Sequence, residues 1–315
     1  METRTGKLII VPTPLGNLGD MTDRARAALR DADVVCAEDT RVTGRLLAAY
    51  GVEKRLERLD EALIGSRAAS VVDRVRGGEV VAYCSDAGMP GVSDPGLRLV
   101  AAARDAGVPV EVLPGPTAAA TAYVASGTTC PRVYFGGFFP RKTAEQRACL
   151  AGLRGLDAAL VFYESPNRLA ASLAVVAEVL PHRAVAVCRE LTKLHEEVVR
   201  GPAPQVSDEF ARRAREEGVR GEIVLVIDAP GAEEAAADAA GAAREARELA
   251  ARLVGGGMRA KEAARRVAEE CGIARNEAYD LALEASRAAR ADEGAPGAAG
   301  KRDPRCGEGA PGEGR

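Results

Sequence analysis

The chain has 315 residues, 47% of them apolar and 28% charged, and 43 Lys+Arg against 46 Asp+Glu leave a formal net charge of −3. That is a globular composition at a length for about two domains of roughly 100–200 residues, which excludes a wholly disordered chain. No run approaches the ~18 consecutive apolar residues of a bilayer-spanning helix, and Met1–Val11 lacks the apolar core and cleavage site of an export signal, so a cytoplasmic protein without membrane contact is expected.

Short β-branched runs alternate with helical patterns through the first 118 residues, which predicts βαβ units and a parallel sheet. Strands are expected at Lys7–Val11, Ala32–Ala37, Glu79–Cys84 and Val108–Leu113. Helices are expected near Asp23–Arg30, Val42–Tyr50, Glu61–Arg76 and Pro95–Asp105, the last with Asp94 as N-cap and Pro95 in the first helical position. A second α/β domain with some antiparallel pairing is expected over 119–229: strands Val133–Phe138, Ala158–Tyr163, Ala184–Cys188, Glu197–Arg200 and Glu222–Asp228, with helices near Ala144–Leu153, Arg168–Val179 and Ser207–Glu217. The Ala-, Gly- and acid-rich stretch 230–245 reads as a linker that frays into helix. Beyond it, Ala246–Val254, Ala260–Glu270 and Asn276–Arg287 read as helices of a small helix-turn-helix-like module over 246–290, with Gly272 as a stop and Asn276 as a cap. The Gly, Pro and charge content of 291–315 predicts a disordered tail.

Seven cysteines, an odd number without a C-x-x-C pair and several within apolar runs, read as buried reduced thiols. His182 and His195 stand apart from acids or thiols at zinc spacing, so no metal is implied. The net charge names no nucleic-acid protein, and neither 1–230 nor 231–315 is a basic tail; an RNA-binding face has to be local.

Ligands of open α/β sheets bind beyond the C-terminal ends of the strands, and three predicted turns there stand out. They are Pro12–Asp20, Ser85–Gly96 and Pro114–Thr117, rich in glycines that admit close backbone approach and prolines that hold the loops in shape. All three are expected to open onto one crevice. No G-x-G-x-x-G fingerprint and no G-x-x-x-x-G-K-[ST] loop occurs, which removes support for dinucleotides and nucleoside triphosphates.

Eight segments carry a resemblance: VPTPLGNLGD, AEDTR, SDAGMPGVSDPG, LPGPTA, FFPRK, FYESPNR, CRELTKLHEE and GEIVLVI. In that order and spacing, over residues 7–228, they resemble the ribosomal RNA small subunit methyltransferase I family, of the class III (tetrapyrrole methylase) fold. The resemblance implies a two-domain α/β class III methyltransferase, S-adenosyl-L-methionine in the cleft between the domains, and a homodimer. It also implies methyl transfer to the ribose 2′-hydroxyl of a cytidine in the decoding region of 16S rRNA in the 30S subunit. Such a cofactor carries no phosphate, which agrees with Gly-rich turns lacking a phosphate loop, and its positive sulfonium favours carboxylate and carbonyl oxygens.

For cofactor binding the resemblance points to Asp86, Ala87, Gly88, Met89, Pro90 and Val92, to Thr117 and Ala118, and in the second domain to Tyr163, Leu191 and Ile223 within Gly221–Ile223. Met89 stands where the family commonly has Thr, so main-chain contacts are expected there. Glu190, Lys142 and Glu164 are the nominees for catalysis, with Glu190 ranked first as a base and Asp39 as a further acid; the alternative for Glu190 is pairing with Arg189 or Lys193 to hold their loop. Arg141, Lys142, Arg168, Arg189 and Lys193, with Arg147 nearby, are candidates for RNA phosphates. In the pair Phe138-Phe139, core packing is the expectation and base stacking the alternative. In the C-terminal module, Arg259, Lys261, Arg265, Arg266 and Arg275 alternate with Ala263, Ala264, Val267 and Cys271, a basic face that suits RNA or a dimer partner. Two rivals remain. A tetrapyrrole or cobalamin-precursor methyltransferase typically reads G-x-G-P-G and G-D-P-x-x-F where this chain has Thr13–Asn17 and Asp86–Pro90. A cofactor-sensing regulator has no use for the substrate-side charges.

Overall fold

The strands VVCA and VVAYC are buried at every position, as near-continuous apolar runs must be when a parallel sheet is covered on both faces. The computed structural model describes residues 5–293. It divides between Glu234 and Ala235 into two compact units. In the first unit β1 (Lys7–Ile10), β2 (Val34–Ala37), β3 (Leu56–Arg58), β4 (Val80–Cys84) and β5 (Val110–Val112) form an all-parallel sheet in the order β3-β2-β4-β1-β5. Side-chain alternation splits its core. Leu8, Ile10 and Tyr83 pack with α3 (Glu61–Arg76) and α4 (Gly96–Asp105), while Ile9, Val11 and Ala82 pack with α1 (Asp23–Asp31) and α2 (Thr40–Ala49).

Two elements here were not anticipated from sequence. β3 is a three-residue edge strand, Leu-Glu-Arg, with no apolar run to announce it. α5 (Ala118–Ala125) is mostly alanine, AAATAYVA, and shows almost no helical periodicity. The start of α4 also differs from expectation. The helix begins at Gly96 with Pro95 in the cap position, and the Asp94 carboxylate accepts the amides of both Gly91 (2.7 Å) and Gly96 (2.8 Å), which cinches the preceding loop.

The second half of this unit is a mixed sheet, as expected, in the order β6-β7-β10-β8-β9. β6 (Val133–Phe138) and β7 (Ala159–Glu164) are parallel; β8 (Ala184–Arg189), β9 (Glu197–Pro202) and β10 (Ile223–Ile227) pair antiparallel. α5 covers one face through Ala122, while α6 (Thr143–Leu153), α7 (Leu169–Val179) and α8 (Ala203–Glu216) cover the other around Phe162 and Phe210. Register shifts between Phe135 and Phe138, where Gly137 takes φ +69°.

The second unit contains most of α9 (Ala232–Gly255) with α10 (Ala260–Cys271) and α11 (Arg275–Glu293). The stretch read as a linker is helical from Ala232 onward, because Ala and Glu are strong helix formers even where they build no core. α11 starts at Arg275, so Asn276 lies inside its first turn and is not its cap, and the helix runs into the stretch read as tail; 294–315 lie outside the described residues. Gly272 closes α10 at φ +65°, and Leu249, Ala263, Val267 and Ala282 share a small core. Among the described residues no helix is long and apolar enough to cross a membrane. Burial pushes the thiols of Cys36, Cys84 and Cys188 up to about 12, which leaves them protonated.

At the bulge, a Cβ on Gly136 would lie 2.2 Å from Cε1 of the buried Phe162 ring. Gly136→Ala should therefore lower the stability of the first unit by about 1–3 kcal/mol, read as a reduced denaturant midpoint with an unchanged m-value.

Candidate cofactor pocket

The loops after β1, β4 and β5 converge at the C-terminal edge of the first sheet. Two of them are joined by reciprocal backbone hydrogen bonds, Thr13 N–H to Gly88 C=O at 2.9 Å and Gly88 N–H to Thr13 C=O at 3.0 Å. Gly88 holds φ +78°, and an added Cβ would meet Leu15 Cδ2 at 3.0 Å and Pro116 O at 3.4 Å, one atom from each neighbouring loop. The third loop closes just as tightly, since a Cβ on Gly115 would lie 2.3 Å from Pro12 Cγ.

These loops form one wall of a cavity of about 350 Å³. Leu15 comes from the first loop, Ala87, Gly88, Met89 and Val92 from the second, Thr117 and Ala118 from the third. The second sheet supplies the opposite wall: Phe138, Tyr163, Glu164, Pro166, Cys188, Leu191 and Gly221–Val224. No Lys, Arg or His lines the cavity, so a phosphate would find no counter-charge there. A compact organic cation with an adenine finds apolar walls and main-chain groups there, and no like charge among the lining side chains. The residues present thus fit S-adenosylmethionine and disfavour a nucleotide phosphate.

Of the residues nominated for this cofactor, Ala87, Gly88, Met89, Val92, Thr117, Ala118, Tyr163, Leu191 and Ile223 line the cavity, while Asp86 and Pro90 do not. Asp86 turns toward the start of α2, where its Oδ1 accepts the Asp39 amide at 3.0 Å, and desolvation raises its carboxyl above the usual range. Thr117 caps α5, its hydroxyl accepting the Ala120 amide at 3.1 Å. Tyr163 stands edge-on to Phe135 and Phe138, at 5.0 and 5.5 Å between ring centroids. Sequence reasoning did not nominate Leu15, Pro166, Cys188 or Val224, although Leu15 lies in one of the turns expected to open onto the crevice. It also expected Phe138 in the core. Phe139 is the buried member of the pair, and Phe138 is 63% exposed at the cavity because the glycine bulge re-aims it.

The acids nominated for catalysis are largely committed. Glu164 shares the strand face of Phe162, opposite Tyr163, and its buried carboxylate accepts from the Ser165 amide (2.6 Å), the Ser172 hydroxyl and Arg168. It clamps β7 to α7. Asp39 caps α2, and Arg41 holds its carboxyl well below the usual carboxylate range. Glu190 has φ +52°, and its Oε1 accepts the Glu222 amide at 2.8 Å and Lys193 Nζ at 2.9 Å. Chiefly the Glu222 amide, then Lys193, lowers the Glu190 pKa, so this brace is held at neutral pH and released as pH falls through the depressed value.

The nominated phosphate contacts separate in the same way. Arg168 donates to Phe139 O (3.2 Å) as well as to Glu164, and Arg189 pairs with Glu197 (3.0 Å), not with Glu190. Lys193 bridges Glu190 and Glu222 (3.0 Å), and its stem lies across Gly16, where a Cβ would be 2.4 Å from Lys193 Cγ. Arg147 is bound to Glu178 (2.8 Å). Arg141 and Lys142 remain exposed, Lys142 with a loose surface partner in Glu145 at 3.0 Å; neither lines the cavity. The sequence displays the cations but not the carboxylates that the fold brings to them.

Two five-stranded sheets, one all-parallel and one mixed, with a cavity between them that no cationic side chain lines, have the architecture of a class III methyltransferase. The family profile described as Tetrapyrrole (Corrin/Porphyrin) Methylases matches residues 7–207. Among solved structures, a diphthine synthase is similar in fold (TM-score 0.55, 15% identity, 70% of this chain and 90% of that one). So is a cobalt precorrin-4 methyltransferase (TM-score 0.51, 19% identity, 70% and 94%). Curated relatives are more specific. Ribosomal RNA small subunit methyltransferase I of Micromonospora olivasterospora is 43% identical over 89% of this chain and 87% of the relative, and that of Bacillus subtilis (strain 168) 37% identical over 87% and 93%. The chain belongs to the ribosomal RNA small subunit methyltransferase I family.

Gly88→Val should raise the Kd for S-adenosylmethionine by at least about tenfold in calorimetry; an unchanged Kd would remove Gly88 from the binding surface. Glu164→Ala should cost about 1–3 kcal/mol of stability through the orphaned Ser172 and Arg168 donors, whereas a variant of native stability that had lost turnover would give this carboxylate a catalytic role.

Proposed function

We propose that this protein methylates the ribose 2′-hydroxyl of a cytidine in the decoding region of 16S rRNA, using S-adenosylmethionine and acting on the 30S subunit. The observation that carries the cofactor is the 350 Å³ cavity without a cationic side chain, walled by three preorganised loops. The observation that favours a polymeric substrate is the exposed Arg141-Lys142 pair, separated by Phe139 and Pro140 from Phe138, a ring that lines the cavity and is itself exposed.

When bound, S-adenosylmethionine supplies the electrophilic methyl group, and the chain's contribution is to align it with the attacking oxygen. Leu191 and Gly221–Ile223 form the wall that Glu190 and Lys193 hold closed. Glu190 acts here as a positioning residue, because a carboxylate with a lowered pKa and two donors on one oxygen is a weak base. The hydroxyl proton passes to solvent. Arg141 and Lys142 hold the flanking phosphates. The protein works in the cytoplasm, where 30S subunits are, as a homodimer for which exposed Val112, Val124 and Val133 offer apolar surface.

Tritiated S-adenosylmethionine incubated with 30S subunits lacking the modification should place label on one cytidine ribose, located by nuclease digestion and mass spectrometry. Cofactor binding without RNA labelling would point to a small tetrapyrrole substrate or a sensor. Glu190→Gln should raise the cofactor Kd several-fold with an unchanged pH profile of kcat; a loss of about 10²–10⁴ in kcat at unchanged Kd would make Glu190 the base.

A further inference from the structure

The helical unit holds a feature that methyl transfer in the cavity does not use. Arg259, Lys261 and Arg265 on and before α10, with Arg275 and Asn276 at the start of α11, line one groove of about 840 Å³. The ring of Tyr279, 44% exposed, stands in the same groove. Lys261 and Arg265 are four residues apart, one turn of α10, while Arg266 falls outside the lining. Glu262 is the lone carboxylate against four cations. Among the described residues none of the four forms an ion pair, in contrast to Arg24, Arg74, Arg147, Arg189 and Arg213 of the first unit, each seated on a carboxylate.

We propose that this groove is a second RNA contact, which holds the phosphodiester backbone of the ribosomal substrate with an unpaired base against Tyr279. The proposal rests on the rRNA reading above and adds to it a binding site apart from the cofactor cavity. Four cations that form no ion pair among the described residues, gathered by α10, its cap residue and the start of α11, suit a polyanion, and an exposed aromatic among them suits a single-stranded segment. A second protein copy fits less well. The module's apolar side chains, Leu249, Ala263, Val267, Ala278 and Ala282, are already buried against one another, and the groove presents charge where an interface core is depleted of it.

The test uses the full chain with 30S subunits lacking the modification as the probe. Arg265→Ala/Arg275→Ala should raise the subunit Kd in filter binding, and the KM in methylation, about tenfold at 150 mM salt. The slope of log Kd against log salt should fall by about 1.5–2. The cofactor Kd and the kcat at saturating subunits should not move. Arg265→Lys/Arg275→Lys, which keeps both charges, should restore most of the affinity, and Tyr279→Ala should weaken binding without changing the salt slope. An unchanged KM and salt slope overturns the proposal, and so does a double variant whose only effect is a changed oligomeric mass, which assigns the groove to a protein partner. Binding is read independently of methylation, so a chain that binds subunits through this groove but labels no cytidine sinks the proposed reaction and leaves the groove standing.

Discussion

The reciprocal hydrogen bonds between Thr13 and Gly88 are the constraint on which the site depends. They join the loop after β1 to the loop after β4, and they form only because Gly88 accepts φ +78° and leaves room for Leu15 and Pro116. With those loops joined, Asp94 draws the chain of the second one back onto Gly91 and Gly96, and Gly115 seats the third against Pro12. A wall built in this way exists before a ligand arrives, so little conformational entropy is lost on binding.

The opposite wall is held by charge. Glu190 and Lys193 lock the Leu191 loop to the start of β10, and the Lys193 stem lies on Gly16 of the first loop, so a single side chain touches both halves of the unit. Glu190 and Thr192 sit at positive φ on either side of Leu191, conformations that non-glycine residues keep only where surrounding contacts over-determine them. The lining carries no cationic side chain, and Arg168, Arg189 and Lys193, from the segments that flank the second wall, are bound to Glu164, Glu197, Glu190 and Glu222.

Much of the fold was legible in the sequence. The buried strands announced themselves as β-branched runs, and the three Gly- and Pro-rich turns marked the crevice that the structure places at their meeting point. The shortfalls have specific causes. β3 is an edge strand without an apolar run, α5 is too alanine-rich to show a period, and the 230–245 stretch has the composition of a linker but the propensity of a helix.

What the sequence determined alone was the set of backbone-dictated features: glycines where φ must be positive, prolines in the loops, apolar runs where strands are covered on both faces, and no phosphate loop. These follow from local sterics and from the solubility of each side chain. Which charge meets which partner was decided only by the tertiary structure. Glu164 faces α7 because strand alternation turns it from Tyr163, Phe138 reaches the cavity because a bulge shifts the register by a residue, and Arg189 finds Glu197 across an antiparallel pair. Ion pairs and pocket walls join residues far apart in the chain, and their energies depend on distance and burial that no local pattern encodes.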